Sequence, residues 1–438
     1  MHMNGNRARR PQHARPTCRR PDRWRWLATA PLTALCLSAG CASAAAPEGT
    51  ASSAPTGQVN CAPPGVKLTP CYSPQAYEVA YGVAPLLRHG INGSGETVVM
   101  PELASSRPST DIRKDLAAFD TRFGLPPAKL HVVDTIARST TPYLADDEEV
   151  EDTEMVHAIA PGATLDVVLL PNDTTSGSAN FTAAATKVVQ ASIALHAAVI
   201  SVSASLGERF FTRAEVAQMN AAMEQARDHH VTVVASSGDL GAISDDGPPR
   251  QVSLPASDPL VLAVGGTILD ARPGGTYLGE MAWNGGTDAS AGGYSSLFAR
   301  PAYQDGIARI GAKRGVPDVA ANADSTTAMA IEYSDGEVRA ATGTSASTPL
   351  WAGTIALADQ EAERHLGFVN PAIYAIARSS AYHQAFHDIV TGDNSVLWPT
   401  GVFVGYNAGP GWDPATGWGS PDAQHLVPLL AHAARSGT

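Results

Sequence analysis

A chain of 438 residues, 44% hydrophobic and rich in loop formers with 40 Gly and 32 Pro, can bury a large core, which excludes a disordered or fibrous protein. Its net charge of −12 is uneven: residues 1–44 carry eight Arg and one Asp, and removing their +7 leaves −19 on the remainder. So acidic a body argues against nucleic acid as a partner and suits a soluble exported protein.

Residues 1–44 read as an export signal, with an Arg-rich start, an apolar run from Trp26 to Ala39 and a small-x-small cleavage site at Ala42-Ser43-Ala44. Leu37-Ser38-Ala39-Gly40-Cys41 loosely resembles a lipoprotein site, so attachment to the cell envelope through Cys41 is the alternative to secretion. No later stretch is long and apolar enough to span a bilayer. Residues 45–58, rich in Ala, Ser, Thr, Pro and Gly, form a flexible tether. Cleavage leaves two cysteines, Cys61 and Cys71, which an oxidising compartment would close into a small loop around Pro63-Pro64-Gly65.

Residues 59–430 read as one domain, with a tail over 431–438. Strands are predicted at Thr97–Met100, Leu130–Val133, Thr164–Leu170, Ala198–Val202, Val231–Ala235 and Val261–Val264. Helices are predicted near Thr110–Phe123, Val150–Ile159, Asn180–His196 and Arg213–Asp228, the last opened by a Thr212/Glu215 capping box. Continuous β-branched strands alternating with helices imply an α/β fold with a doubly wound, mainly parallel sheet buried on both faces. From Gly265 to Tyr333 glycine-rich loops interrupt the pattern.

Sites in such sheets form at the carboxyl ends of strands. Two segments fit: Val234 to Gly241, a strand running into the Gly-flanked Asp239, and the loop Ala341-Thr342-Gly343-Thr344-Ser345-Ala346-Ser347-Thr348-Pro349. The second reads as a loop turning into a helix, with Ser345 near the first turn and Pro349 tolerated where amides lack intrahelical partners. Those amides favour the negative charge that an oxyanion develops. Ser345 is therefore a candidate nucleophile, the plainer reading being an N-cap serine.

A serine nucleophile requires a base. None of the 13 His residues stands in a His-Gly-Thr-His setting like that of subtilisin-like enzymes, and His157 reads as a core histidine. Acids are abundant instead in Asp146-Asp147-Glu148-Glu149-Val150-Glu151-Asp152-Thr153-Glu154. Helical spacing pairs Asp147 with Glu151 and Glu148 with Asp152, without choosing between them. Met155, Val156 and Ile159 must face the sheet, which turns Glu148 and Asp152 inward with them, a costly burial of the kind active sites carry.

Glu148-x-x-x-Asp152 followed by His157-Ala158-Ile159-Ala160-Pro161-Gly162-Ala163 resembles the sedolisin family of serine-carboxyl peptidases, which have a subtilisin-like fold. So do Ser236-Ser237-Gly238-Asp239, Gly343-Thr344-Ser345-Ala346-Ser347-x-Pro349, Leu254-Pro255-Ala256-Ser257-Asp258-Pro259, Val316-Pro317-Asp318-Val319 and Gly367-Phe368-Val369-Asn370-Pro371. The likeness runs in order from about Leu68 to Pro421 and selects the Glu148/Asp152 pair. It implies Ser345 as nucleophile, Glu148 as general base, Asp152 as its orienting relay and a protonated Asp239 as oxyanion donor. Such an enzyme is expected to be a secreted endopeptidase, optimal in acid, acting on peptides as a monomer; a catalytically inactive binding protein on the same scaffold is the alternative. Substrate is expected to add as a strand along Ser203–Gly207 and Ser236–Gly238.

Gly-rich loops around Phe386–Asn394 and Gly409–Gly419 carry carboxylates suited to Ca²⁺. The resemblance implies one structural Ca²⁺ held by the carboxylates of Asp388 and Asp413 and the carbonyls of Ile389, Gly409 and Gly411, with Asp393 outside the set. Three features depart from the family pattern. Sedolisins usually carry a long folded prodomain, where here a tether and the Cys61/Cys71 loop precede the catalytic domain; Leu206 stands where a Trp is common; and Glu208 follows Gly207 directly.

Overall fold

The computed structural model describes residues 57–436 apart from 62–69, 104–110, 135–146, 172–173, 175 and 245–246; the export signal, Cys41 and most of the tether lie outside them. The central sheet is built from β1 (Thr97–Leu103), β2 (Lys129–Asp134), β3 (Thr164–Leu170), β4 (Val199–Val202), β5 (Thr232–Ser236), β6 (Leu262–Ala271), β7 (Tyr277–Ala282) and β8 (Val319–Asn322). Strand order is β7-β6-β5-β4-β1-β3-β2, with β8 also paired to β6. Every pairing is parallel except the edge pair β6/β7.

Alternation along the strands explains the two cores. Val98, Met100, Leu165, Val167, Val199, Val234, Leu262 and Val264 face one apolar cluster. Val99, Val168, Leu170, Ile200, Val233, Ala235 and Ala263 face the other. A sheet covered on both sides must read as continuous apolar runs, which is what these strands show.

Five helices frame this sheet and its carboxyl edge: α1 (Ile112–Phe123), α2 (Asp147–Ile159), α3 (Ser178–Ala194), α4 (Arg213–Asp228) and α5 (Gly343–Ala362). Residues of α2 and α5 pack in the first cluster, and residues of α3 and α4 in the second. The expected capping box closes α4, with Thr212 Oγ1 accepting from the Glu215 amide and the Glu215 carboxylate from the Thr212 amide.

Several boundaries differ from expectation for identifiable reasons. Helix α2 spans Asp147–Ile159 among the described residues, so Glu148 and Glu149 belong to it as well as the residues from Val150. Between Gly265 and Tyr333 the loops alternate with strands that were not predicted: β6 runs on to Ala271, and strands follow at Tyr277–Ala282, Gly293–Ala299, Lys313–Val316, Val319–Asn322 and Ala330–Glu332. Short strands with glycines at bends carry a weak period-2 signal. The segment expected as a tail from 431 is part of a helix, Ala423–Ser436. Pro349 is not in the first turn of α5 but inside the helix. Its missing amide leaves the Ser345 carbonyl without the usual partner four residues on. Near the N-terminus Gln58–Asn60 pairs with Pro70–Tyr72, and Cys61 and Cys71 form a disulfide.

Candidate active site

The start of α5 is held against the loop after β5. Gly343 has φ +80°, and a Cβ there would lie 2.8 Å from Asp239 Oδ2, so glycine alone lets that carboxyl pack against the helix entrance. Asp239 Oδ1 accepts from the Thr344 amide at 2.8 Å and from its hydroxyl at 2.7 Å. The nucleophile candidate, Ser345, therefore begins its helix directly beside Asp239.

On the other side of Ser345 stands Ser203, the first residue past β4. Ser345 Oγ donates to the Ser203 carbonyl at 3.4 Å, and Ser203 Oγ donates to Asp152 Oδ1 at 2.8 Å while lying 3.4 Å from the Ser345 carbonyl. Thus the hydroxyl of α5, the acid of α2 and the end of β4 meet at the carboxyl edge of the sheet, where a doubly wound fold places its sites.

Asp152 is fully buried, and two further acids join it: Glu102, which the sequence pattern did not single out, and Glu151, a member of the Asp147/Glu151 pair that was not chosen. Glu102, near the end of β1, hydrogen-bonds Asp152; burial first, then the charges of Asp152, Glu149 and Glu148, hold its carboxyl well above the usual range. Glu151 Oε2 accepts from the Thr342 amide at 3.0 Å. Burial, followed by the charges of Glu148, Asp152 and Asp239, pushes Glu151 up as well, against the effect of that amide. The leading influences on both groups are burial and neighbouring acids. Such an assembly must hold protons that isolated carboxyls would release. A carboxylate closing an apolar strand at the sheet's carboxyl edge was the available signal for Glu102, and the four-residue spacing from Asp147 had already marked Glu151.

An apolar cavity of about 290 Å³ opens beside the acids, with Glu102, Glu148 and Ser203 on its wall and Leu170, Phe181 and Met223 among its deeper residues. The Leu206–Gly207 segment pairs antiparallel with Ser253–Leu254. Glu208 is buried and accepts from the Ser296 amide and hydroxyl at 2.7 Å, which anchors a neighbouring strand. His157 is a core residue, its Nε2 2.9 Å from both the Pro126 carbonyl and Asp120 Oδ1.

The two loops expected to hold calcium do converge. The Gly411 amide donates to both oxygens of Asp388 at 3.1 and 3.2 Å, and the Gly409 amide donates to Asp413 Oδ2 at 3.0 Å. Both acids also raise the Tyr382 phenol by their charge, after burial. Asp413 is fully buried, makes no ion pair among the described residues, and is pushed by burial to about 6. Two carboxylates flanking a glycine turn fit a hard cation. No group of three His, Cys, Asp or Glu among the described residues could hold a metal, so an ion here needs backbone carbonyls. Asp393 accepts from the Ser395 amide and Asn284, a turn role consistent with its exclusion.

The description of the subtilase family matches residues 131–419. Kumamolisin from Bacillus sp. (strain MN-32) is 34% identical over 359 residues, covering 79% of this chain and 62% of that protein. Sedolisin from Pseudomonas sp. (strain 101) is 36% identical over 207 residues, covering 44% of this chain and 34% of that one. The chain thus spans less than two thirds of the length of these curated relatives. The solved structure of Pseudomonas sedolisin, a serine-carboxyl proteinase complexed with two molecules of pseudo-iodotyrostatin, superimposes with a TM-score of 0.71 at 26% identity, over 84% of this chain and 99% of that one.

Proposed function

We propose that this chain, which belongs to the subtilase family and within it to the sedolisins, is a secreted serine-carboxyl endopeptidase working in acid. The observation that carries the reading is the contact chain from Ser345 through Ser203 to Asp152, with Asp239 on the opposite side of the same helix start.

In this reading Ser345 Oγ attacks the scissile carbonyl carbon while Glu148 takes its proton, and Asp152, backed by Glu102, orients Glu148. The carbonyl oxygen becomes an oxyanion in front of Asp239. With Oδ1 already accepting from Thr344, Asp239 supplies a donor only when it carries a proton, which ties activity to acid. Collapse of the tetrahedral intermediate breaks the C–N bond; Glu148 returns the proton to the leaving amine, and the acyl group remains on Ser345. Water then attacks this ester as Glu148 takes the water's proton; the acyl C–Oγ bond breaks, Glu148 returns that proton to Ser345 Oγ, and the acid product leaves. The aliphatic cavity suits an uncharged side chain of the peptide. A calcium ion on Asp388, Asp413 and the carbonyls of Ile389, Gly409 and Gly411 would brace the C-terminal loops and takes no part in these steps.

The test is hydrolysis of an N-acylated peptide by the purified protein across pH 3–8, beside Ser345→Ala. The expected result is cleavage with an acidic optimum and at least a roughly thousandfold loss in the variant. An optimum at or above neutrality, or undiminished cleavage by Ser345→Ala, would overturn the proposal.

A further inference from the structure

We propose that Ser203 is a positioning residue for this reaction: its hydroxyl keeps Asp152 an ionised acceptor, and its carbonyl parks the Ser345 hydroxyl between turnovers. The proposal rests on the catalytic roles of Ser345, Glu148 and Asp152.

Ser203 touches the relay and the nucleophile with different atoms. Its Oγ donates to Asp152 Oδ1 at 2.8 Å, a full-strength bond, while its carbonyl accepts from Ser345 Oγ at 3.4 Å, a long one. The weak contact is the one that must be given up when Ser345 turns toward a substrate carbonyl. Pro349 contributes from within α5, because the amide it lacks would otherwise bond the Ser345 carbonyl, the group that Ser203 Oγ approaches at 3.4 Å. A rigid element supplies the position, since Ser203 follows the buried strand β4.

The surroundings give a neutral donor unusual weight. Asp152 belongs to a group comprising Glu102 from β1, Glu148, Glu149 and Glu151 from its own helix, and Asp239 from the loop after β5. All are acids. Where clustered carboxyls share fewer protons than they have sites, hydrogen bonds decide which one stays ionised, and a hydroxyl donor favours the charged form of its acceptor. Glu102 acts on the same residue, and its own carboxyl is held well above the usual range by burial and then by the Asp152 charge, so it keeps its proton beside an ionised Asp152. Without Ser203 Oγ, Asp152 would take a proton at higher pH and stop orienting Glu148 in the acid range where the enzyme works.

The experiment compares wild type, Ser203→Ala and Ser203→Thr by the pH dependence of kcat and KM, and by isotope-edited infrared titration of the Asp152 carboxyl. Ser203→Ala should lower kcat about tenfold with little change in KM, and move the acid limb of the profile up by about one pH unit. Asp152 should titrate higher by a similar amount. Ser203→Thr, which keeps the hydroxyl, should restore both, and all three proteins should melt alike. A Ser203→Ala profile that superimposes on wild type, or a Ser203→Thr variant equally impaired, overturns the proposal. If wild type does not cleave, or Ser345→Ala does, the reading of the active site fails separately. The Asp152 titration then decides alone: an unchanged value in Ser203→Ala overturns the positioning role, and a raised one upholds the bond that defines it.

Discussion

Asp318 and the acids around Ser345 are treated in opposite ways in this molecule. Asp318 is fully buried and fully matched: Arg314 meets both its oxygens at 2.7 and 2.6 Å, and Tyr374, Asn370 and the Ala263 amide complete its shell. Arg314 itself is equally buried. Around Ser345, by contrast, Glu102, Glu148, Glu149, Glu151, Asp152 and Asp239 act on one another. Burial and the charges of neighbouring acids, the leading influences on Glu102 and Glu151, keep these carboxyls able to hold and pass protons. A permanent cation would pin them ionised.

Substitutions in the two places should therefore fail differently. Glu148→Gln should lower kcat/KM by about a thousandfold or more at the acidic optimum, while the melting temperature stays level or rises as one like charge is removed. Rate assays paired with calorimetry check it, and a large loss of stability would make Glu148 a structural acid like Asp318. Arg314→Met should do the reverse, costing about 3–5 kcal/mol of stability by leaving Asp318 buried and unpaired. Folded Arg314→Met protein assayed well below its melting point should keep its pH profile, since the partners of Arg314 are Asp318 and the carbonyls of Gly315 and Val261, away from the acids at Ser345.

The calcium loops stand between these extremes, with matched amides on Asp413 but no basic side chain paired to it among the described residues. If a cation supplies the missing charge, saturating Ca²⁺ at a hundred times its Kd should stabilise the protein by about 2.7 kcal/mol. Asp388→Ala should melt at the same temperature with Ca²⁺ or chelator. Identical wild-type melting curves with and without chelator would rule calcium out as a brace of these loops.

Much of the fold was legible because sheet and helix announce themselves by period. Strand Thr164–Leu170 and helix Arg213–Asp228 stand where their patterns put them, as does the capping box at Thr212. Short strands such as Lys313–Val316 leave too brief a pattern to read. The acids of α2 were visible as a run, but burial on every side removes the amphipathic stripe that would have ranked them. In the sequence Ser203 stands out only as backbone for substrate. Its hydroxyl reaches a residue 51 positions earlier, and no local pattern encodes such a distance.

The smallest expected effect separates burial from function. Glu78, in the helix Pro74–Ala80, is pushed from 4.5 to about 7 by burial alone, with no neighbouring charge contributing. Its folded-state value lies above its unfolded one, so the folded protein binds this proton more tightly across the window from about 4.5 to 7. The contribution is complete below that window and is lost as pH rises through it. Glu78→Gln, which is neutral throughout, should match wild type near pH 4 and exceed it by about 2 kcal/mol near pH 7. Its activity profile should stay that of wild type, because Glu78 lies outside the acids that act at Ser345. If instead the variant's stability falls with pH as steeply as wild type, Glu78 adds nothing, and any pH dependence of stability comes from other buried carboxyls such as Glu151 and Glu154. One device, the buried acid, would then set both where this protein is stable and where it works.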